Sequence, residues 1–136
     1  MFFSEFKQLA EIKAAGSKKL PTSNTVWGLL IQESMLAVCN KTIPIDLLET
    51  DPEAADTYRW VSPSQFVRYP NKPIDDGDKI DIDEQLHNAV LYDFLFRHLK
   101  ANKNNDYMAL RDEQISDYEW SNYAFIKNLE TYTEET

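Results

Sequence analysis

The chain has 136 residues, of which 14 are basic and 23 acidic, so its formal net charge is −9. A chain of this length forms one domain that needs neither a disulfide nor a metal ion to bury a core. Its single cysteine, Cys39, excludes an internal disulfide and is expected to be a buried apolar residue. Proteins that grip nucleic acid need lysine and arginine, so this charge balance argues against direct DNA binding.

The N-terminal segment, MFFSEFKQLAEIK, predicts a short amphipathic helix. Its apolar residues recur at helical spacing, Ser4 can cap its start and Gly16 can end it. The segment is soon charged, so it is neither a signal peptide nor a membrane span. We therefore expect a soluble protein made in a cytoplasm.

A second helix is predicted from near Thr25 to about Asn40, after a polar loop. Gly28 lies inside this helix and lowers its intrinsic propensity. The chain has only three glycines, and this low count favours helices over glycine-punctuated hairpins.

Residues 41–79 form a proline-rich arm that holds five of the six prolines, so no long helix can run through it. Two predictions stay open over residues 57–69. Ser62, Pro63 and Gln65 resemble a capping box with proline at the first helical position, which predicts a helical turn. The β-favouring residues on either side instead predict two short strands about a turn at residues 62–65, and we favour this extended alternative.

The stretch KIDIDEQLHNAVLYDFLFRHL, residues 79–99, predicts a central helix that is apolar almost all round and begins near Ile82. Asp81 followed by Glu84 is typical of a helix start. Asp93 and Arg97 are spaced to pair on a short polar strip. A helix with so little polar surface has to be enclosed by other helices or by neighbouring subunits.

After a polar loop at residues 100–106, a last helix is predicted from about Tyr107 or Arg111 to Leu129, with one acidic side. Residues 130–136 are expected to be a frayed acidic tail. The fold prediction is mainly α: a small helical bundle around the helix at about 82–99, with an extended or short β segment at about 57–69. Residues 1–129 form a single domain with the arm 41–79 inserted.

Signatures of catalysis and of metal binding are missing from the sequence. His87 and His98 lie on one predicted helix about 16 Å apart, too far to share a metal ion, and neither HExxH nor CxxC occurs. EF-hand spacing around Gly77 would make Lys72 the first calcium ligand, so that pattern fails, although adventitious divalent binding by the acidic loop stays open. Phosphate-binding glycine loops and GxSxG are also missing. The sequence predicts no enzyme, no cofactor and no metal.

The aromatic residues of the proline-rich arm are candidates for contact with another subunit or partner, because rings with a polar tip are favoured interface anchors. Folding back over the helical core is an equally good explanation of them. The candidate contact residues are Tyr58, Trp60, Phe66, Arg68 and Tyr69.

Two stretches resemble small head-tail connector, or adaptor, proteins of tailed bacteriophages: FVRYPNKP at residues 66–73 and, after an acidic loop, IDIDEQLHNAVLYDFL at residues 80–95. In many of these proteins an extended segment near prolines precedes an IDID helix start and an apolar helix in the middle of the domain. The resemblance covers residues 57–99. The long acidic C-terminal helix departs from the shorter connectors.

The resemblance implies a virion protein of the neck region, without enzymatic activity, that forms a homo-oligomeric ring of about twelve copies. Its partners would be the portal protein above and a tail or tail-completion protein below, with no membrane contact. DNA would meet it only in transit, through an acidic lumen whose like charge prevents phosphate adhesion. The residues expected to line such a lumen are Asp112, Glu113, Asp117 and Glu119.

The same charge allows other functions. An acidic inhibitor or DNA mimic would bind a basic nucleic-acid-binding host protein, and would do so as a monomer or dimer. A third alternative, a small acid-base enzyme, requires a compact pocket with a carboxylate of strongly shifted pKa. A solvated acidic surface that only aids solubility is commoner than any of these.

Overall fold

A computed structural model of the chain describes residues 1–14, 20–99 and 104–134. Within these ranges the protein is mainly helical, as predicted, with a small three-stranded sheet. The helices are α1 (Phe3–Ala14), α2 (Asn24–Lys41), α3 (His87–His98), α4 (Asn104–Ser121) and α5 (Tyr123–Glu134), and the strands are β1 (Leu48–Glu49), β2 (Thr57–Trp60) and β3 (Phe66–Arg68).

Helix α3 lies at the centre of the bundle, and α1, α2 and α4 pack around it. Phe94 of α3 is fully buried; Trp27 of α2 stacks on its ring at 5.2 Å, and Phe6 of α1 meets it edge-on at 5.5 Å. Aromatic pairs in these geometries add to the free energy of burial. The prediction of a helical bundle around a central apolar helix is therefore confirmed.

The central helix begins later than the sequence predicts. A 3-10 turn at Glu84–Leu86 precedes α3, so regular helix starts five residues after Ile82. Asp81 does not cap the helix, because its carboxylate accepts hydrogen bonds from Arg68 Nη1 and Nη2, at 2.6 and 2.8 Å, and from the backbone N–H of Asn71 at 2.7 Å. The sequence has the residues of a helix start, but Asp81, the first of them, pairs with Arg68 and does not cap the helix.

Helices α1 and α2 lie where the sequence predicts them. Helix α2 starts one residue before Thr25, with Ser23 as its N-cap: the Ser23 Oγ accepts a hydrogen bond from the Val26 N–H at 3.3 Å. Gly16, the expected end of the first helix, lies outside the described residues. Ser4 lies within the first turn of α1 rather than before it.

The extended alternative for residues 57–69 is the one observed. Strands β2 and β3 form an antiparallel hairpin, and β1 pairs with the other edge of β3, so the strand order is β1-β3-β2. Ser62 Oγ accepts from the backbone N–H groups of Ser64 and Gln65, at 3.4 and 3.1 Å, and so closes the turn. Serine followed by Pro63 therefore organises a hairpin turn here instead of a helix start.

Residues 70–80 form a strap that leaves β3, crosses α2 and reaches the N-terminus. Gln32 Nε2 donates to the Pro70 carbonyl at 2.9 Å, and the Pro73 carbonyl lies directly over Gly28. Only a residue without a β-carbon allows this approach of two backbones. Gly28, which lowers the helix propensity of α2, is thus required by the crossing.

The end of the strap holds the first residues of the chain in an N-terminal clasp, defined as residues 1–4 with their hydrogen bonds to residues 76–80. The Phe3 and Ser4 N–H groups donate to the carbonyls of Asp78 and Asp76, at 2.8 and 3.2 Å, and the Ile80 N–H donates to the Met1 carbonyl at 3.0 Å. The acidic loop therefore satisfies backbone donors at the start of α1.

The predicted C-terminal helix is two helices. Helix α4 ends at Ser121 and α5 starts at Tyr123, with Asn122 between them donating from Nδ2 to the Tyr118 carbonyl at 2.9 Å. Of the predicted loop at residues 100–106, the last three lie in α4 and the first four fall outside the described residues. Helix α5 runs to Glu134, so residues 130–134 are helical where the sequence predicts a frayed tail.

Among residues 1–14, 20–99 and 104–134, every helix is too short or too polar to cross a bilayer.

Replacing Gly28 by alanine is expected to destabilise the protein although alanine is the better helix former by about 1 kcal/mol. The new β-carbon would collide with the backbone carbonyl of Pro73, and displacing the strap costs about 1 to 3 kcal/mol. Urea unfolding of Gly28→Ala measures the difference. Gly77→Ala is the matched control, because its β-carbon meets nothing within 4 Å; equal midpoints for the two variants would contradict the close crossing.

Candidate functional site

A buried carboxylate on α3 organises the helix packing. Asp93 has no solvent exposure, and its two oxygens accept from Arg97 Nε and from Arg111 Nη1, both at 2.7 Å. Arg97 lies one turn further along α3 and also reaches Glu33 of α2 at 3.4 Å, whereas Arg111 belongs to α4. One aspartate thus links three helices. The Asp93–Arg97 pair predicted from spacing is confirmed.

Arg111 is itself buried, which is uncommon for arginine. Burial of its guanidinium opposes the charge, but hydrogen bonds to Asp93 and to Asp112 outweigh burial, and the pKa of Arg111 is raised. The guanidinium carbon also lies 5.5 Å from the ring centre of Phe96. The group is therefore a permanent cation inside the bundle, which makes its pairing with Asp93 obligatory.

A second buried polar centre joins the turn before α3 to α4 and to the segment before β1. Asp83 accepts the Tyr118 hydroxyl at 2.7 Å and the backbone N–H of Asp46 at 3.0 Å, and the same hydroxyl accepts the Ile45 N–H at 2.8 Å. Burial raises the pKa of Tyr118 far above its usual range; the hydrogen bond from the Ile45 N–H opposes this, and the hydrogen bond to Asp83 adds to it. These groups are fully engaged with one another, so we interpret them as structural.

The five predicted contact residues divide between the interior and the surface. Phe66 is fully buried, so it packs within the chain and does not present a contact surface. Arg68 is half-buried, and its two-point ion pair with Asp81 gives it a structural role. For these two, the structure favours the explanation that the arm folds back over the core.

The remaining three keep exposed surface. Trp60 is 50% exposed beside the ring of Phe66, and Tyr69 is 44% exposed. Tyr58 is half-buried: its ring contacts Tyr69 at 5.0 Å and its hydroxyl donates to Asn40 at 2.6 Å. Trp60 and Tyr69 remain available to a partner.

The four acidic residues predicted to line a lumen all lie on α4, but they do not form one strip. A helix turns about 100° per residue, so Glu113 and Asp117 lie about 40° apart on one face, whereas Asp112 is turned about 100° away from Glu113. Asp112 points toward α2, where Lys41 Nζ is 3.9 Å from its carboxylate, and it also accepts from Arg111.

Glu113 and Asp117 are exposed, and the described part of the chain places no basic side chain in an ion pair with either. Asp117 lines an open groove of about 270 Å³ together with Glu84 and Asn88. Glu119 is half-buried on another side of the helix. The acidic residues of α4 are therefore divided between two sides of the helix.

Two apolar surfaces that the sequence analysis did not single out are exposed on helices. On α2, Val26 and Leu29 are 45% and 48% exposed, and at the α4–α5 junction Trp120 and Tyr123 are 80% and 53% exposed with their rings 5.8 Å apart. We name them the α2 face and the junction face. In the sequence, Trp120 lies beside the helical spacing of Ile115, Tyr118 and Leu129 and not within it, and this position was the available signal for the junction face.

The described residues give little support for a catalytic or metal-binding site. No group of three or more His, Cys, Asp or Glu side chains within them is placed to hold a metal ion. Cys39 is buried, and burial raises the pKa of its thiol to about 12, so it is an inert apolar residue as predicted. An open groove of about 490 Å³ lies between residues 49–56 and Tyr69, and most of its lining residues are polar or charged.

Comparison with known proteins found no matching family model, no similar curated protein and no similar solved structure.

Replacing Asp93 by asparagine is expected to cost about 3 to 5 kcal/mol of unfolding free energy, because Arg111 then remains buried without its anion. Asp112→Asn is the control: its carboxylate is 50% exposed, so its loss should cost less than about 1 kcal/mol. Urea unfolding measures both.

Adding Arg111→Met to Asp93→Asn should recover part of the loss, because the double variant removes the uncompensated charge. A single Asp93→Asn variant as stable as Asp112→Asn would contradict the role of this pair.

Proposed function

We propose that the protein is a non-enzymatic assembly subunit of the head-tail connector class, which forms a ring in the neck of a tailed bacteriophage between portal and tail. The observation that carries the proposal is the pair of exposed apolar faces on α2 and at the α4–α5 junction. Support also comes from the resemblance of residues 66–73 and 80–95 to connector proteins.

A ring needs two different contact surfaces on each subunit, because a head-to-tail contact joins one surface to another. The two faces belong to helices that pack on different sides of α3: α2 contacts Phe94 through Trp27, whereas α4 contacts Asp93 and Phe96 through Arg111. Their outward surfaces therefore suit a heterologous interface. Neighbouring copies would bury these residues.

Tryptophan and tyrosine are the residues that most often anchor protein interfaces. Trp120 is the most exposed large apolar residue among those described, at 80%. An isolated chain gains no free energy of burial from this indole, whereas a subunit interface would. Trp60 and Tyr69 on the hairpin would serve further contacts in the same assembly, with a sister copy, the portal or the tail protein.

The acidic surface fits a channel through which DNA slides, since like charge on a wall prevents phosphate adhesion. Glu113 and Asp117 keep exposed carboxylates for such a wall, whereas Asp112 is partly neutralised by Arg111. The proposed wall therefore keeps only Glu113 and Asp117 of the four residues named from the sequence.

Sedimentation velocity over a wide range of protein concentrations tests the ring. We expect large closed assemblies for the natural chain, and monomers for Leu29→Glu and for Trp120→Glu, since each variant loses one face. Mixing the two variants should yield dimers, because each supplies the intact face that the other lacks. Ile74→Glu is the control: Ile74 is 63% exposed but lies on neither face, so its assemblies should persist.

Two outcomes would contradict the ring. A chain that stays monomeric at every concentration, yet binds a basic nucleic-acid-binding protein in a salt-sensitive manner, would favour the acidic inhibitor or DNA mimic instead. Mixed variants that stay monomeric, while the natural chain assembles, would show that the assembly uses other surfaces.

A further inference from the structure

His87, the first residue of α3, is almost fully buried, and both of its ring nitrogens make hydrogen bonds. Its Nε2 lies 2.8 Å from the carbonyl oxygen of Ile82, and its Nδ1 lies 2.9 Å from the nitrogen of Met1. A carbonyl oxygen only accepts, so Nε2 carries the proton and Nδ1 accepts from Met1. This pair of hydrogen bonds exists only for the neutral imidazole.

Glu84 provides a competing partner for the same ring nitrogen. Its Oε2 lies 3.7 Å from His87 Nδ1 and 3.4 Å from the Met1 nitrogen, and its side chain is 72% exposed and free to adjust. A proton added at Nδ1 would turn that atom from an acceptor into a donor. It would then face the Met1 nitrogen as a second donor, lose that hydrogen bond and bind the Glu84 carboxylate.

We propose that His87 is an acid-sensitive latch for the N-terminal clasp: protonation transfers Nδ1 from Met1 to Glu84 and releases residues 1–4 from residues 76–80. The proton comes from solvent, and no covalent bond other than N–H changes. Opening withdraws the buried side chain of Phe3 from the core, whereas α2 and α4 stay packed on α3 through Phe94 and Asp93.

The surroundings of the ring lower the pKa of His87 as a net effect. Burial is the largest influence and lowers the pKa of His87, while the hydrogen bond with the Ile82 carbonyl and the charge of Glu84 oppose it. A pKa below the ordinary value of 6.5 means that the closed clasp binds the proton less well than the open one. The closed state is therefore fully stable above that pH and loses stability as the pH falls below it.

Other ionisable groups on the elements packed nearby are engaged elsewhere. Asp83 in the same turn accepts from Tyr118 and from the Asp46 N–H. On α1, Lys7 pairs with Asp76 at 2.6 Å. On α4, Asp117 lines a groove with Glu84 on the solvent side of the turn. These contacts leave Glu84 as the carboxylate nearest to Nδ1.

Amide hydrogen exchange followed by NMR tests the latch on the full chain. The Phe3 and Ile80 N–H groups donate within the clasp and report its opening. We expect their protection factors to fall about tenfold between about pH 7.5 and about pH 5, because the hydrogen bond between Met1 and His87 is lost. The Leu91 amide in α3 should keep its protection, which separates clasp opening from global unfolding.

Two surface variants make the partner exchange falsifiable without touching the core. Glu84→Gln removes the negative charge that stabilises the protonated ring, so the pH midpoint of opening should move lower, whereas Glu113→Gln removes an equal charge elsewhere and should leave the midpoint in place. Protection of Phe3 and Ile80 that does not change with pH, or equal midpoints for the two variants, would overturn the proposal.

Discussion

The ion pair between Asp93 and Arg111 is the constraint on which the rest of the bundle depends. A carboxylate without any solvent exposure is tolerable only when cations meet it, and Arg111 and Arg97 meet one oxygen each. Because Arg111 has to reach that oxygen, the register of α4 on α3 is specified. Apolar packing alone would allow α4 to slide or rotate at lower cost.

From that register follows the placement of the surfaces that we connect with assembly. With Arg111, Ile115 and Tyr118 turned inward, Trp120 has to point away from α3, and the break at Asn122 redirects the chain beyond it. Helix α2 is apolar on nearly every side, so enclosing α3 with it leaves Val26 and Leu29 outside. Internal packing and exposed faces are thus two results of one arrangement.

Helix identity and the enclosure of α3 could be predicted from the sequence, because apolar spacing reports directly on which positions are buried. The late start of α3 could not, since Asp81 caps a helix or pairs with Arg68 depending on where the arm folds. Phe66 was ambiguous for a similar reason: an aromatic residue in a proline-rich arm looks the same whether it packs inward or outward. The role of Gly28 depends on Pro73, a long-range neighbour that local patterns do not reveal.

The contacts of the strap that crosses α2 join residues that are far apart in the sequence. Residues 1–4 meet residues 76–80, and Tyr118 hydrogen-bonds to the backbone of Ile45, so contacts close loops that span much of the sequence. Closing a long loop costs chain entropy before its contacts contribute any stabilising free energy, so folding rates fall as contacts become less local. The molecule should therefore reach its native state more slowly than an up-and-down helical bundle of the same size.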